Sequence, residues 1–120
     1  MNKIHMIPMF FSMLVLGGCY YDIEEELYPS NFCDVENVTF SGIIKPLVQT
    51  KCTVSNCHVS GGTAPHDLTN DLTLKQLADD GKIQARVVDK IPLPMPPGGL
   101  PNCEIQQVQA WLDAGAPINN

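Results

Sequence analysis

The stretch Cys52-Thr53-Val54-Ser55-Asn56-Cys57-His58 constrains this chain more than any other. Two thiols stand five positions apart, and a histidine directly follows the second. Three chemistries use such a set. Thioether bonds to the two vinyl groups of a haem need two cysteines on one edge of the porphyrin and an imidazole beside them for the iron. A disulfide needs the cysteines alone. Zinc takes thiolates and imidazoles but usually wants four ligands, and few histidines are left to complete the set. The usual haem signature has two residues between its cysteines, whereas this chain has four. The loop between them must therefore bulge if both sulfurs are to reach vinyls fixed by the macrocycle.

Residues 1–18 read as a signal peptide. Met1 to Pro8 is a short polar start charged by Lys3, and Met9 to Leu16 is an apolar run too short for a stable bilayer span. Its end, Leu16-Gly17-Gly18-Cys19, resembles a bacterial lipobox, which predicts Cys19 as a lipidated N-terminus in the cell envelope, facing the periplasm or the surface. Residues 19–32 then form the lipidated start and an acidic tether with Asp22, Glu24, Glu25 and Glu26. An acidic run beside such a cysteine also resembles the surface-export signals of lipoproteins from Bacteroidetes-type bacteria.

Lipidation settles the cysteine count. Five cysteines are odd; without Cys19 there remain Cys33, Cys52, Cys57 and Cys103. Export implies an oxidising compartment, so these four serve either two disulfides or one disulfide and one covalent haem. From Cys19 onward there are six basic and thirteen acidic residues, a side-chain charge of −7. That balance argues against nucleic acid and against an anionic membrane face as partners, and suits a soluble cationic protein. A domain this small buries a modest core and gains from a disulfide or a cofactor.

The folded domain is expected over residues 33–120. Phe40, Ile43, Ile44, Leu47 and Val48 recur at helical spacing just before Cys52. Thr39 or Ser41 would cap this helix, and Pro46 suits only a first turn, which allows a start as late as Lys45. Ser60 to Pro65 is a loop by composition. Thr73 is the predicted N-cap of a helix from Leu74 to Asp80 with Gly81 as its stop, and Lys82 to Val88 is a further short helix with Ile83, Val87 and Val88 inward. Ile91 to Gly99 holds four prolines and reads as a stiff extended loop. The last helix starts near Leu100 to Asn102, carries Ile105, Val108, Trp111 and Leu112 as its stripe, and ends at Gly115 and Pro117. Strand signals are scarce throughout.

If His58 takes one face of an iron, the chain offers two candidates for the other. Four of five methionines leave with the signal peptide, and Met95 stays. His66 is the one spare imidazole, but it follows His58 by only eight residues, too few to wrap easily to the opposite face of a porphyrin. Met95 lies 37 residues on, in the proline loop, and is the predicted second ligand. Sulfur opposite imidazole favours ferrous iron and a raised potential.

An apolar helix running into the cysteines, Met95-Pro96-Pro97-Gly98-Gly99, and a helix carrying Ile105, Val108 and Trp111-Leu112 before Ala114-Gly115-Ala116-Pro117 together resemble small class I cytochrome c domains. The likeness covers about Cys33 to Asn120 and is greatest to lipoprotein cytochromes of Bacteroidetes-type bacteria, among which longer cysteine spacings occur. The resemblance implies a mainly α fold around one covalent haem c. Its first and last helices would cross beside the ring, with Phe40, Ile43, Leu47, Ile105, Val108 and Trp111 at the crossing or the cofactor. Cys33 and Cys103 flank those two helices, are left over as a pair, and are expected to form a disulfide.

The function this implies is electron transfer by a membrane-anchored cytochrome working with redox partner proteins. Cys52 and Cys57 attach the haem, His58 and Met95 ligate the iron, and no substrate position is left for an enzyme. Two alternatives stand beside it. One is a non-haem binding lipoprotein with Cys52 and Cys57 as a second disulfide. The other is a haem sensor or peroxidase-like module in which Met95 gives way; Arg86, the only arginine, is not obviously placed for peroxide cleavage.

Overall fold

Thr39 opens the first helix: its backbone is extended, and its hydroxyl oxygen accepts a hydrogen bond from the Gly42 amide at 3.2 Å. The structure, a computed structural model, describes residues 33–120. The expected signal peptide, lipidated Cys19 and acidic tether lie outside them. A π-helical turn, Phe40–Ile44, runs straight into an α-helix, Lys45–Lys51 (α1). The winding changes just before Pro46, which has no amide to give to a preceding carbonyl.

The second α-helix is Asp71–Asp79 (α2), and its cap is Asn70 instead of Thr73. Asn70 Oδ1 accepts from the amides of Leu72 and Thr73, at 2.9 and 3.3 Å. Starting there puts Asp71 in the first turn, where its charge suits the helix N-terminus and pairs with Lys45 Nζ at 2.7 Å. The expected Gly81 stop is in place with φ of 73°, backbone that a glycine adopts without penalty. Gln84–Val88 forms a second π-helical turn, with Val87 buried and Ile83 and Val88 partly so. After the proline loop comes the longest helix, Asn102–Asp113 (α3). Among the described residues there is no strand, and no helix is long and apolar enough to cross a membrane.

One core joins these elements. Helix α3 packs on both π-helical turns. Trp111 is 1% exposed, stacks on Phe40 with ring centroids 6.2 Å apart, and gives its indole N–H to the Pro117 carbonyl at 2.8 Å. Ile44, Leu47 and Val48 meet Leu74, Leu77, Val87, Leu100 and Val108 in the same cluster. Cys33 and Cys103 are bridged, with Cα atoms 5.4 Å apart and 70 positions between them. Closing a loop of that length contributes about 4 kcal/mol in the chain-entropy picture. The bond ties the entry of the domain to the first turn of α3.

Candidate functional site

The four residues between Cys52 and Cys57 are absorbed by a tight bulge. Helix α1 ends at Cys52, and a short 3₁₀ turn, Val54–Asn56, follows. Within it Ser55 and Asn56 both take left-handed backbone, with φ of 54° and 58°. Asparagine tolerates that region; serine does so at a cost of about 1 kcal/mol. The reversal brings Cys57 and His58 back under the end of α1, where the His58 amide donates to the Cys52 carbonyl at 3.3 Å. The next segment locks the bulge from below. Thr63 and Ala64 donate to the carbonyls of Asn56 and Cys57 at 3.0 and 3.2 Å.

Gly62 makes that close approach possible. A Cβ there would fall 2.2 Å from the Cys57 carbonyl oxygen and 2.7 Å from that of Asn56. Neither backbone atom can swing aside as a side chain would. Gly62→Ala is expected to displace the whole bulge at a cost of about 1–3 kcal/mol, read by urea unfolding. Gly61 has open space around its Cβ position but a φ of 72°, so Gly61→Ala reports left-handed backbone strain without the clash.

The His58 ring is oriented by its own loop. Nδ1 lies 2.9 Å from the His66 carbonyl oxygen, and a carbonyl only accepts. The proton therefore sits on Nδ1, which leaves the Nε2 lone pair to ligate. Metal-bound imidazoles are held this way through their second nitrogen. His66, the other candidate ligand in the sequence, lines the same cavity, but its backbone serves His58 from the same loop.

Both thiols, His58, His66 and Met95 line one cavity of about 780 Å³. That lies in the range of about 300–1,000 Å³ common for ligand and cofactor sites. Its wall is chiefly apolar: Ile44, Leu47 and Val48 from the first helix, Leu74 and Leu77 from α2, Val108 and Trp111 from α3. Met95 is 37% exposed, at the rim. Its amide donates to the Arg86 carbonyl at 2.9 Å, so the proline loop is moored to the Gln84–Val88 turn.

Cys52 and Cys57 remain separate thiols. Burial pushes the Cys52 thiol up to about 11, and the Glu104 carboxylate adds to the rise. At neutral pH that sulfur is uncharged, a setting that suits a neutral thioether. Among the described residues no group of three or more His, Cys, Asp or Glu side chains converges to hold a metal ion.

No protein-family model, curated protein or solved structure matches the chain. The functional reading rests on the site itself.

The residues that sequence reasoning singled out, Cys52, Cys57, His58 and Met95, meet at one cavity, and Cys33 with Cys103 stands apart from it as the bridge. Phe40, Ile43 and Ile105 pack around the core and leave the cavity wall to Ile44, Leu47, Val108 and Trp111. Sequence reasoning did not reach Gly62, the His66 carbonyl or the Arg86 contacts. A backbone carbonyl has no residue-type signature, and Gly62 was visible only as half of a loop-forming glycine pair.

Proposed function

We propose that this chain is an electron-transfer protein carrying one covalent haem c in a small cytochrome c-like fold. Cys52 and Cys57 would hold the haem as thioethers, and His58 Nε2 and the Met95 sulfur would hold the iron. The observation that carries this reading is the His58 ring, turned by its Nδ1 bond to His66 so that Nε2 is free, on the wall of an apolar cavity shared with two unbridged thiols and Met95. The resemblance to class I cytochromes supports the same assignment. Bound haem supplies a one-electron couple. The chain's own residues supply the apolar wall that excludes water, the fixed tautomer of His58, and a moored loop that presents a weak thioether ligand. His58 and Met95 together would leave the iron no position for a substrate, which suits a carrier and not an enzyme. Lipid on Cys19 would hold it at the cell envelope, where it meets redox partner proteins.

Intact mass under denaturing conditions tests this directly. Protein made in a host with working cytochrome biogenesis is expected to carry one haem mass that survives denaturation, together with a ferrous c-type absorption band. A colourless product whose mass is short by four protons, with Cys52 bridged to Cys57, would replace it by a binding lipoprotein. The apolar cavity would then take an apolar small molecule.

A further inference from the structure

Residues 33–120 hold six basic side chains. Four of them pair with a carboxylate: Lys45 with Asp71, Lys51 with Glu104, Lys75 with Asp79 and Lys82 with Asp80. Arg86 and Lys90 make no ion pair among the described residues, and both lie against the proline loop. Arg86 Nε donates to the Leu93 carbonyl at 3.0 Å. The Lys90 stem crosses to the far end of the loop, where a Cβ on Gly99 would lie 3.8 Å from Lys90 Cε. Lys90 also takes left-handed backbone, with φ of 61°, where glycine would sit without penalty. Beside these two cations the loop turns Ile91 and Leu93 outward, 65% and 68% exposed. An apolar surface with two unanswered positive charges thus stands on a domain that holds nine acidic residues.

The chain holds a complement to that surface. Residues 20–28 carry four carboxylates, Asp22, Glu24, Glu25 and Glu26, interleaved with tyrosines, Ile23 and Leu27. No basic residue occurs between Cys19 and Ile44, so these carboxylates meet no cation in their own stretch of sequence. The disulfide decides where that stretch joins the domain. Cys33 is held at the first turn of α3, its Cα 5.4 Å from that of Cys103, and Cys103 follows Gly99 by four positions. The Asp34 carbonyl then accepts from the Gln107 side-chain amide at 3.2 Å, so the chain leaves Cys33 toward the later turns of α3. What precedes Cys33 therefore sets out from the end of α3 that continues the proline loop. Glu24 to Glu26 precede Cys33 by seven to nine positions, a reach of up to about 23–30 Å, whereas Gly99 lies at most about 20 Å from Cys33 across the bridge.

We propose that residues 20–28 dock on the proline loop of their own domain, with the carboxylates of Glu24 to Glu26 at Lys90 and Arg86, and Ile23 and Leu27 against Ile91 and Leu93. Exposed ion pairs of this kind are individually weak and screened by salt. Two features make them sufficient. Covering Ile91 and Leu93 removes apolar surface from water. Joining both parts in one chain gives the segment an effective concentration in the millimolar range, which favours it over a second copy or a dilute partner. The docking needs no cofactor and does not rest on the haem reading. Its consequence is a guarded surface: a protein approaching the cavity from the side of the proline loop must first displace an acidic segment.

The experiment uses the full chain purified from the cell envelope in neutral detergent at low salt. A water-soluble carbodiimide then joins lysine amines to carboxylates that touch them. The expected product has the mass of a single chain and links Lys90 to Glu24, Glu25 or Glu26. Its yield falls about threefold or more in about 0.5 M salt, and Glu24→Gln/Glu25→Gln/Glu26→Gln abolishes it. Lys75, on α2 and paired with Asp79, is the reference amine and stays unlinked to the segment. Hydrogen exchange gives the second reading: the Leu93 amide is expected to exchange about fivefold faster or more in that triple variant and in Lys90→Gln than in wild type. Links to Lys75 as frequent as those to Lys90 overturn the proposal, because the segment then samples the whole surface. Links found only in a product of doubled mass overturn it in favour of a second copy as the occupant. Leu93 exchange unchanged in both variants overturns it too, because the carboxylates then pass near Lys90 without covering the loop.

Discussion

Met95→Ala is expected to leave the covalent haem mass unchanged, lower the midpoint potential by about 0.1–0.2 V and open the ferrous iron to carbon monoxide. That shift is a fraction of the range of about 0.8 V over which axial ligands set haem potentials. Thioether sulfur stabilises ferrous iron, so its loss favours the ferric state. The placement of Met95 makes the experiment clean. Its side chain sits at the cavity rim, 37% exposed, and contributes little to the buried core. The loop stays moored without it, because the bonds to Arg86 and the Gly99 amide to the Pro96 carbonyl at 2.8 Å belong to backbone atoms. Folding stability of the haem-free chain should therefore change by less than about 1 kcal/mol. A variant with the wild-type potential and no carbon monoxide binding would remove Met95 from the iron.

The parts of this molecule that could be read from residues alone are those in which side-chain type carries the information. The spacing of Phe40, Ile43, Ile44, Leu47 and Val48, and of Ile105, Val108, Trp111 and Leu112, marks two amphipathic helices, and both form, with Ile43, Ile105 and Leu112 partly buried and the others buried. Proline density marked the loop at 91–99. The start of α2 was misplaced because Thr69, Asn70, Asp71 and Thr73 all have side chains able to cap. Local chemistry does not rank them. The contact between Asp71 and Lys45 crosses from another helix and belongs to the tertiary structure. The geometry of the cysteine bulge lay further out of reach. It depends on left-handed backbone at Ser55 and Asn56 and on carbonyls of residues 56, 57 and 66, which any sequence possesses. The cysteine and histidine types point to a chemistry, while the backbone that shapes the bulge between them has no residue-type signature.

Trp111→Ala should cost about 3–5 kcal/mol of folding stability, a large share of the roughly 5–15 kcal/mol that a small domain has in total. The loss comes from a fully buried side chain that joins two other parts of the domain. Its ring stacks on Phe40 in the first helical turn, and its indole N–H holds Pro117. Its backbone carbonyl, which alanine keeps, accepts from Ala116 at 2.9 Å, where the buried Ala116 takes left-handed backbone with φ of 48°. The tail so fixed returns to the first helix, where Asn120 accepts from the amides of Phe40 and Ser41 at 2.8 and 3.2 Å. Trp111→Phe separates the contributions. It keeps most of the aromatic packing and leaves the Pro117 carbonyl without its donor, at a cost of about 1–2 kcal/mol. Trp111 also lines the cavity, so the comparison should be made with and without the cofactor by urea unfolding. If haem rests against this ring, Trp111→Ala costs more in the holoprotein than in the haem-free chain, since the cofactor then loses a wall as well as the crossing. Equal costs in both states would place the ring in the helix crossing alone. A shift under about 1 kcal/mol in either would mean that the crossing of the first and last helices does not hold this domain together.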